Sequence, residues 1–272
     1  MTDQYAVIGN PIGHTKSPMI HGTFAQTTGQ DIEYTAIEGP LDGFAGAVLA
    51  FRDAGGRGMN VTAPFKLQAF ELATDRLERA ELAGATNALK FEGDRIYADN
   101  FDGVGLVNDI TRNLGVSMKG ARVLLLGAGG AVRGALKPFL SQEPSALVLA
   151  NRKPEKAQDL VKQFDHPALT SLEFNELVGQ QFDIVVNATS ASLKAELPAV
   201  PAEVFIRAKL AYELAYGKGL TPFLRLAKNA GVPQLADGVG MLVEQAAEAF
   251  AWWRGVRPDT RALIERMTIP LV

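Results

Sequence analysis

A buried strand that runs directly into a glycine-rich turn and then a helix, VLLLGAGGAVRGAL at residues 123–136, constrains this chain more than any other stretch. A helix N-terminus carries unpaired N–H groups and favours an anion. Gly127 permits the tight turn, and Gly129 lets a pyrophosphate approach the backbone. The third position of the dinucleotide fingerprint falls on Val132, so Gly130, Ala131 or Gly134 would have to supply the close helix–strand packing. The same alternation runs along the chain. Residues 5–9, 32–38 and 57–62 read as strands, with helical spacing at 17–29 and 41–55 between them. Residues 84–100 read as a hairpin turning at Glu92-Gly93-Asp94, followed by a helix near 102–113. Further strands are expected at 121–127, 146–151, 182–189 and 208–215, again separated by helical segments. Strands alternating with helices imply parallel sheets and an α/β fold class. From Gly238 to Met267 the pattern is helical only. That segment either caps the second half or returns to the first.

The 272 residues suffice for one large or two ordinary domains. With 47% hydrophobic and 21% charged residues, the chain belongs with ordinary globular proteins. A net charge of −3 gives no basic footprint for nucleic acid. No run of eighteen apolar residues and no leader-like start is visible, so no membrane span or targeting segment is expected and the location is expected to be cytoplasmic. The absence of cysteine excludes disulfides, a thiolate nucleophile and cysteine-type zinc sites. His14, His21 and His166 are scattered, so no metal site is expected either. The expected partner is a small molecule, bound by a monomer or a homodimer.

The strand after the glycine-rich turn ends in LANRKPEKA at 149–157. An NAD site would place an acidic residue there for the ribose 2′-hydroxyl. This chain offers Asn151, Arg152, Lys153 and Lys156 instead, around Pro154 as the first residue of a helix. Cations at a helix N-terminus are unfavourable unless an anion joins them, and a 2′-phosphate is such an anion. The cofactor expected is therefore NADP. In DIVVNATSAS, 183–192, Asn187, Thr189 and Ser190 leave a strand at its carboxyl end, either as ligand contacts or as ordinary turn residues.

Three further residues stand out. Gln245 sits beside the apolar stripe of GMLVEQAAEAFAWW, 240–253, formed by Met241, Leu242, Ala246, Ala249, Phe250 and Trp253, while Glu244 and Glu248 point away. A buried amide needs a partner, and a ligand hydroxyl or a backbone carbonyl would serve. Asp102 opens a helix where a capping role is usual, and Ser17-Pro18 is an ordinary helix opening. Lys66 closes GMNVTAPFK, 58–66, with no acidic residue within four positions of it.

Together GNPIGHTKSPMIH (9–21), GMNVTAPFK, GATNAL (84–89), DNFDGVG (99–105), GAGGAVR (127–133), NRKPEKA (151–157), NATS (187–190), TPFL (221–224) and the 240–253 segment resemble, in order and spacing, the shikimate dehydrogenase family. The resemblance implies NADPH-dependent reduction of 3-dehydroshikimate to shikimate, a step of aromatic amino-acid biosynthesis. It implies an α/β substrate domain at 1–104 and 239–272, a Rossmann-like doubly wound NADP domain at 105–238, and a cleft between them. It makes Lys66 and Asp102 the catalytic pair, the ammonium stabilising the charge that develops on the carbonyl oxygen and serving as acid or base. Thr15 and Ser17 would hold the substrate carboxylate. Asn60, Thr62, Asn87, Asp102 and Gln245 would hold its hydroxyls, with Tyr216 lining the site. Gly127, Ala128, Gly129, Gly130, Ala131, Arg133, Asn151, Arg152, Lys153, Lys156, Ala188, Thr189 and Ser190 would hold NADP, with Gly238 and Met241 at its nicotinamide end.

The chain also departs from the family pattern. Thr15 replaces the usual serine, Ala88 and Phe101 stand where threonine is usual, Ser192 where glycine is common, and Glu213 where aspartate is. Lys153 replaces a frequent threonine. Thr15 bears most on specificity, because quinate differs from shikimate near its carboxylate-bearing carbon. A broader quinate/shikimate dehydrogenase is one alternative, and an NADP-binding sensor without turnover is another. A sensor has no need of a proton-transfer pair.

Overall fold

The computed structural model describes residues 2–189, 191 and 196–271. Ser190 and Ser192 lie outside them. The chain divides into two compact units, one of residues up to Gly105 with Leu242–Arg266, the other of Leu106–Met241 with the residues from Met267 onward. No helix among the described residues is long and apolar enough to cross a membrane.

The first unit is built on β1 (Asp3–Gly9), α1 (Ser17–Thr28), β2 (Ile32–Glu38), α2 (Phe44–Asp53), β3 (Gly56–Val61), α3 (Lys66–Leu72), β4 (Asp75–Arg76), α4 (Glu78–Ala83), β5 (Ala88–Glu92) and β6 (Arg95–Asp99). Its six-stranded sheet runs β2-β1-β3-β5-β6-β4. The hairpin expected at 84–100 is present as β5 and β6 and makes this sheet mixed. β5 is antiparallel to both β3 and β6, because β5 and β6 are joined by a two-residue hairpin with Gly93 at φ +60°, and such a turn can only reverse the chain. The hairpin's core-facing residues Leu89, Phe91, Ile96 and Ala98 join Ile8, Met59, Val61 and Phe65 in one apolar cluster.

α5 (Asp102–Asn108) continues as a π-helical turn at Asp109–Asn113, so the helix expected near 102–113 is present but changes pitch at Asp109. The second unit then carries β7 (Arg122–Leu126), α6 (Gly130–Leu140), β8 (Ala146–Ala150), α7 (Pro154–Phe164), β9 (Leu169–Leu172), β10 (Ile184–Asn187), β11 (Leu210–Glu213), α8 (Pro222–Asn229) and β12 (Gln234–Ala236). Its sheet is parallel throughout, in the order β12-β11-β10-β7-β8-β9. Strand order reverses between β7 and β10, which makes the carboxyl ends of those two strands the switch point of a doubly wound sheet. Buried on both faces, β7 and β10 are runs of Val, Leu and Ile apart from Arg122 and Asn187 at their ends.

α9 (Val239–Arg254) and α10 (Arg261–Met267) complete the chain. From Leu242 onward α9 belongs to the first unit. There Trp253 donates its indole N–H to the Leu89 carbonyl over 3.0 Å. Gly58 makes the approach possible: a Cβ there would lie 2.6 Å from the Trp253 indole nitrogen and 2.9 Å from the Leu89 oxygen. Gly46, in contrast, sits in α2 with nothing within 4 Å of a Cβ. Gly58→Ala should therefore cost about 1–3 kcal/mol of stability through overpacking, whereas Gly46→Ala should add about 0.5–1 kcal/mol through helix propensity. Urea unfolding of the two variants separates these signs, and a neutral Gly58→Ala would contradict the packing.

Candidate active site

Lys66 is placed by what surrounds it in sequence. β3 delivers the chain to Thr62, whose N–H donates to the Ile8 carbonyl, and a turn closes with Phe65 N–H donating to the Thr62 carbonyl. Phe65 is fully buried and stacks on Phe44 with ring centroids 4.9 Å apart. α3 begins at the next residue, so the fixed phenylalanine sets where the lysine starts. The Lys66 carbonyl accepts the Thr86 N–H, which ties the turn to the segment leading into β5.

From that position Nζ of Lys66 donates to Oδ2 of Asp102 over 2.6 Å, with the lysine side chain 33% exposed and the aspartate 15%. Oδ1 of Asp102 accepts from the Asn87 amide at 2.8 Å. The same Nδ2 donates to Oε1 of Gln245 at 3.3 Å, while Oδ1 of Asn87 accepts the Phe101 N–H at 2.9 Å. Gln245 gives its own Nε2 hydrogen to the Leu242 carbonyl at 2.8 Å. Of the two partners the sequence left open, the backbone carbonyl is the one present, and the Asn87 side chain holds the amide's oxygen. Lys66, Asn87, Asp102 and Gln245 form one connected cluster within the first unit.

Asp102 does not serve as a helix cap. Oδ1 of Asn100, two residues earlier, accepts the Asp102 N–H at 3.1 Å and leaves the Asp102 carboxylate free for Lys66 and Asn87. Asn100 itself is held by the Ala85 carbonyl and by Asp99, whose buried carboxylate is gripped by the Arg79 guanidinium through two nitrogens. Sequence reading missed Asn100 and Asp99. The Asn-x-Asp spacing of a side-chain turn was the available signal.

Around this cluster Thr15 and Ser17 lie at the start of α1, the Ser17 N–H and the two hydroxyls meeting at 3.2 Å. Asn60 accepts from the Tyr34 hydroxyl at 2.7 Å and donates to the Asn87 carbonyl at 3.2 Å. Thr62 packs its methyl against Gly9, where a Cβ would sit 2.4 Å from it. Glu244, expected to point away from the apolar face of α9, is in fact buried: Arg257 and the Thr260 hydroxyl, each at 2.5 Å, fold over it from the segment after the helix.

The second unit holds the other candidates. Gly127 adopts φ +120°, and a Cβ there would meet the Ala188 carbonyl at 3.1 Å across the switch point. Gly129 and Gly130 face open space, and no side chain caps α6. Gly130 therefore does not supply the helix–strand packing. The fully buried Val132 does, its methyl lying 3.3 Å from where a Gly127 Cβ would be. Ala128 and Ala131 complete the turn, and Arg133 donates to Gln163 at 2.8 Å. Arg152 and Lys153 are exposed just before α7, which also lacks a side-chain cap, with Lys156 in its first turn. Asn151 donates to the Lys153 carbonyl at 2.9 Å and so shapes that turn. An open, uncapped helix N-terminus flanked by exposed cations is the donor set a dinucleotide phosphate requires.

Asn187 behaves as a turn residue: its Oδ1 accepts from the Thr189 N–H and hydroxyl, and its Nδ2 donates to the buried Glu213 at 3.0 Å. Tyr216 is 41% exposed. Gly238 passes so close to Leu214 that a Cβ would lie 2.0 Å from its carbonyl, and the Met241 N–H donates to the Tyr212 hydroxyl at 3.3 Å.

Burial pushes the Asp99 carboxyl up, against the opposing pull of Arg79 and the Asn100 N–H. A carboxyl raised on folding lends stability below its ordinary range and loses it as pH rises through the raised value. Arg79→Met removes the compensating charge. Its deficit should be small at about pH 4 and grow to about 3 kcal/mol near neutrality, the low end for a broken buried pair because Arg79 is partly in water. Urea titrations across that range test this, and a pH-independent deficit would contradict it.

Known proteins resemble this chain over its whole length. Family models described as the shikimate dehydrogenase substrate binding domain, shikimate/quinate 5-dehydrogenase and the shikimate 5′-dehydrogenase C-terminal domain match residues 7–89, 109–197 and 238–267. The NADP(+) shikimate dehydrogenase of Nitrosospira multiformis is 55% identical, covering 97% of this chain and 96% of its own. That of Dechloromonas aromatica is 51% identical over 100% of both. The crystal structure of an enzyme called Ael1 from Pseudomonas putida superposes with a TM-score of 0.98, at 67% identity and 100% coverage of both chains. Shikimate 5-dehydrogenase from Thermus thermophilus, in complex with NADP(H) and shikimate, gives 0.86 at 29% identity, covering 98% of this chain and 100% of its own.

Proposed function

Because the chain belongs to the shikimate dehydrogenase family, we propose that it catalyses the reversible NADPH-dependent reduction of 3-dehydroshikimate to shikimate. The observation that carries this reading is the 2.6 Å contact between Lys66 and Asp102, framed by Asn87 and Gln245. The first unit takes the substrate and the second the cofactor. Bound NADPH supplies the hydride that reduces the ketone carbon.

The chain's own residues manage charge and proton at the ketone oxygen. An ammonium has three N–H donors; with one on Asp102, two remain for a ligand oxygen. Placed there, Lys66 stabilises the negative charge that builds as the carbonyl becomes an alkoxide, and it supplies the proton that completes the alcohol. Asp102 aims the ammonium, and the Asn87 and Asn100 contacts keep Asp102 from rotating away. Thr15 and Ser17 receive the carboxylate, while Asn60, Thr62, Asn87 and Gln245 bind hydroxyls and Tyr216 lines the site. The turn from Gly127 to Arg133 receives the pyrophosphate, with Ala188 and Thr189 across the switch point. Asn151, Arg152, Lys153 and Lys156 receive the 2′-phosphate, and Gly238 and Met241 lie toward the nicotinamide.

A panel of shikimate or quinate with NADP or NAD, followed by absorbance of the reduced nicotinamide, tests the reading. Shikimate with NADP is expected to dominate, and Arg152→Ala should weaken NADP by about tenfold or more while leaving NAD little changed, the loss of one charge-assisted phosphate contact. Absence of turnover with every pair would overturn the assignment.

A further inference from the structure

Tyr34, on β2, is bonded to one of the proposed substrate-site residues, Asn60. Its hydroxyl donates to Oδ1 of Asn60 at 2.7 Å. Burial pushes this phenol well above its ordinary value. Asn60 has its other end committed, since Nδ2 donates to the Asn87 carbonyl, which also accepts the Val61 N–H at 2.9 Å. An asparagine amide can present either end, and only its partners decide which. With Asn87 taking the nitrogen, Tyr34 is the group that rewards the oxygen for facing it.

The Tyr34 ring is held as firmly as its hydroxyl. It stacks on His21 with centroids 4.1 Å apart and planes 3° from parallel. His21 is fully buried among Phe24, Phe250 and Trp253. Burial pushes its imidazole down to about 3, with the nearby Asn60 amide opposing, and neither ring nitrogen reaches a hydrogen-bond partner. His21 is thus a neutral flat wedge. A buried imidazole without a partner costs stability, and what His21 supplies in return is a flat face stacked on the Tyr34 ring.

We propose that Tyr34 is a positioning residue for substrate recognition: its hydroxyl holds the oxygen end of the Asn60 amide, while His21 fixes the ring. This rests on the proposed function, in which Asn60 binds the substrate. Asn87 is held separately by the Phe101 N–H, so the Lys66–Asp102 pair does not depend on Tyr34.

Tyr34→Phe keeps the ring and the His21 stack and deletes only the hydroxyl. The KM for shikimate should rise about tenfold, while kcat and the KM for NADP stay within about twofold. The melting temperature should stay within roughly 4 °C, and calorimetric binding of shikimate to the cofactor-free protein should weaken by the same factor as KM. An unchanged shikimate KM in an active enzyme would overturn the Tyr34 proposal alone. So would losses in both KM values together with a large fall in melting temperature, which would mark a purely structural role. A wild type that neither binds nor turns over shikimate would overturn the functional reading itself, and the Tyr34 proposal with it.

Discussion

The Asn87 carbonyl accepts two hydrogen bonds from the end of β3, the Val61 N–H at 2.9 Å and the Asn60 amide at 3.2 Å, and the site depends on that register. β5 enters the sheet antiparallel, so Asn87 comes to lie beside the end of β3 rather than at the far edge. A shift of one residue would turn every side chain of β5 to the other face. Leu89 and Phe91 would then leave the core and Asn87 would leave Asp102. The apolar pattern of the hairpin, Leu89 and Phe91 opposite Ile96 and Ala98, is therefore what keeps the polar cluster assembled. Core packing and site geometry share one constraint.

Outside this cluster the site is a set of nested supports, each placing the group in front of it. Arg79 compensates Asp99, Asp99 holds Asn100, and Asn100 holds the Asp102 backbone while leaving its carboxylate available. On the other side His21 steadies Tyr34 and Tyr34 directs Asn60. The polar groups closest to the proposed chemistry thus have few free rotations left, and the order needed for catalysis is built during folding rather than on binding. The second unit shows the opposite design. Its helix N-termini at Gly130 and Pro154 are left without side-chain caps, and their unmet N–H donors suit a phosphate-bearing partner.

The sequence carried most of the architecture because the long elements are locally consistent. Strands such as 122–126 and 184–187 are unbroken Val, Leu and Ile apart from their ends, and Glu92-Gly93-Asp94 announces its turn. The short pieces were not legible. α3, α4 and β4 have seven residues or fewer, too few for a period to emerge, and β4 exists only because β6 offers it an edge. The antiparallel pairing of β3 with β5 was hidden for the same reason, being a choice of neighbour rather than of conformation. Lys66 was conspicuous because it lacked a local partner, and the structure supplies one thirty-six residues on. Tyr34 and Arg257 were not conspicuous, since each acts through residues remote in sequence. Glu244 misled for that reason: helical spacing placed it on the polar face, but Arg257 and Thr260 cover that face.

The central claim is that Lys66 and Asp102 act as one unit at the carbonyl oxygen. A double-mutant cycle of Lys66→Met and Asp102→Asn, read in kcat/KM for shikimate with NADP, tests it most directly. Each single substitution should lower kcat/KM by about 10²–10⁴-fold, and the double variant should be scarcely worse than the poorer single one, as expected of groups that work together. Losses that simply multiply, or near-normal turnover in Lys66→Met, would contradict the account.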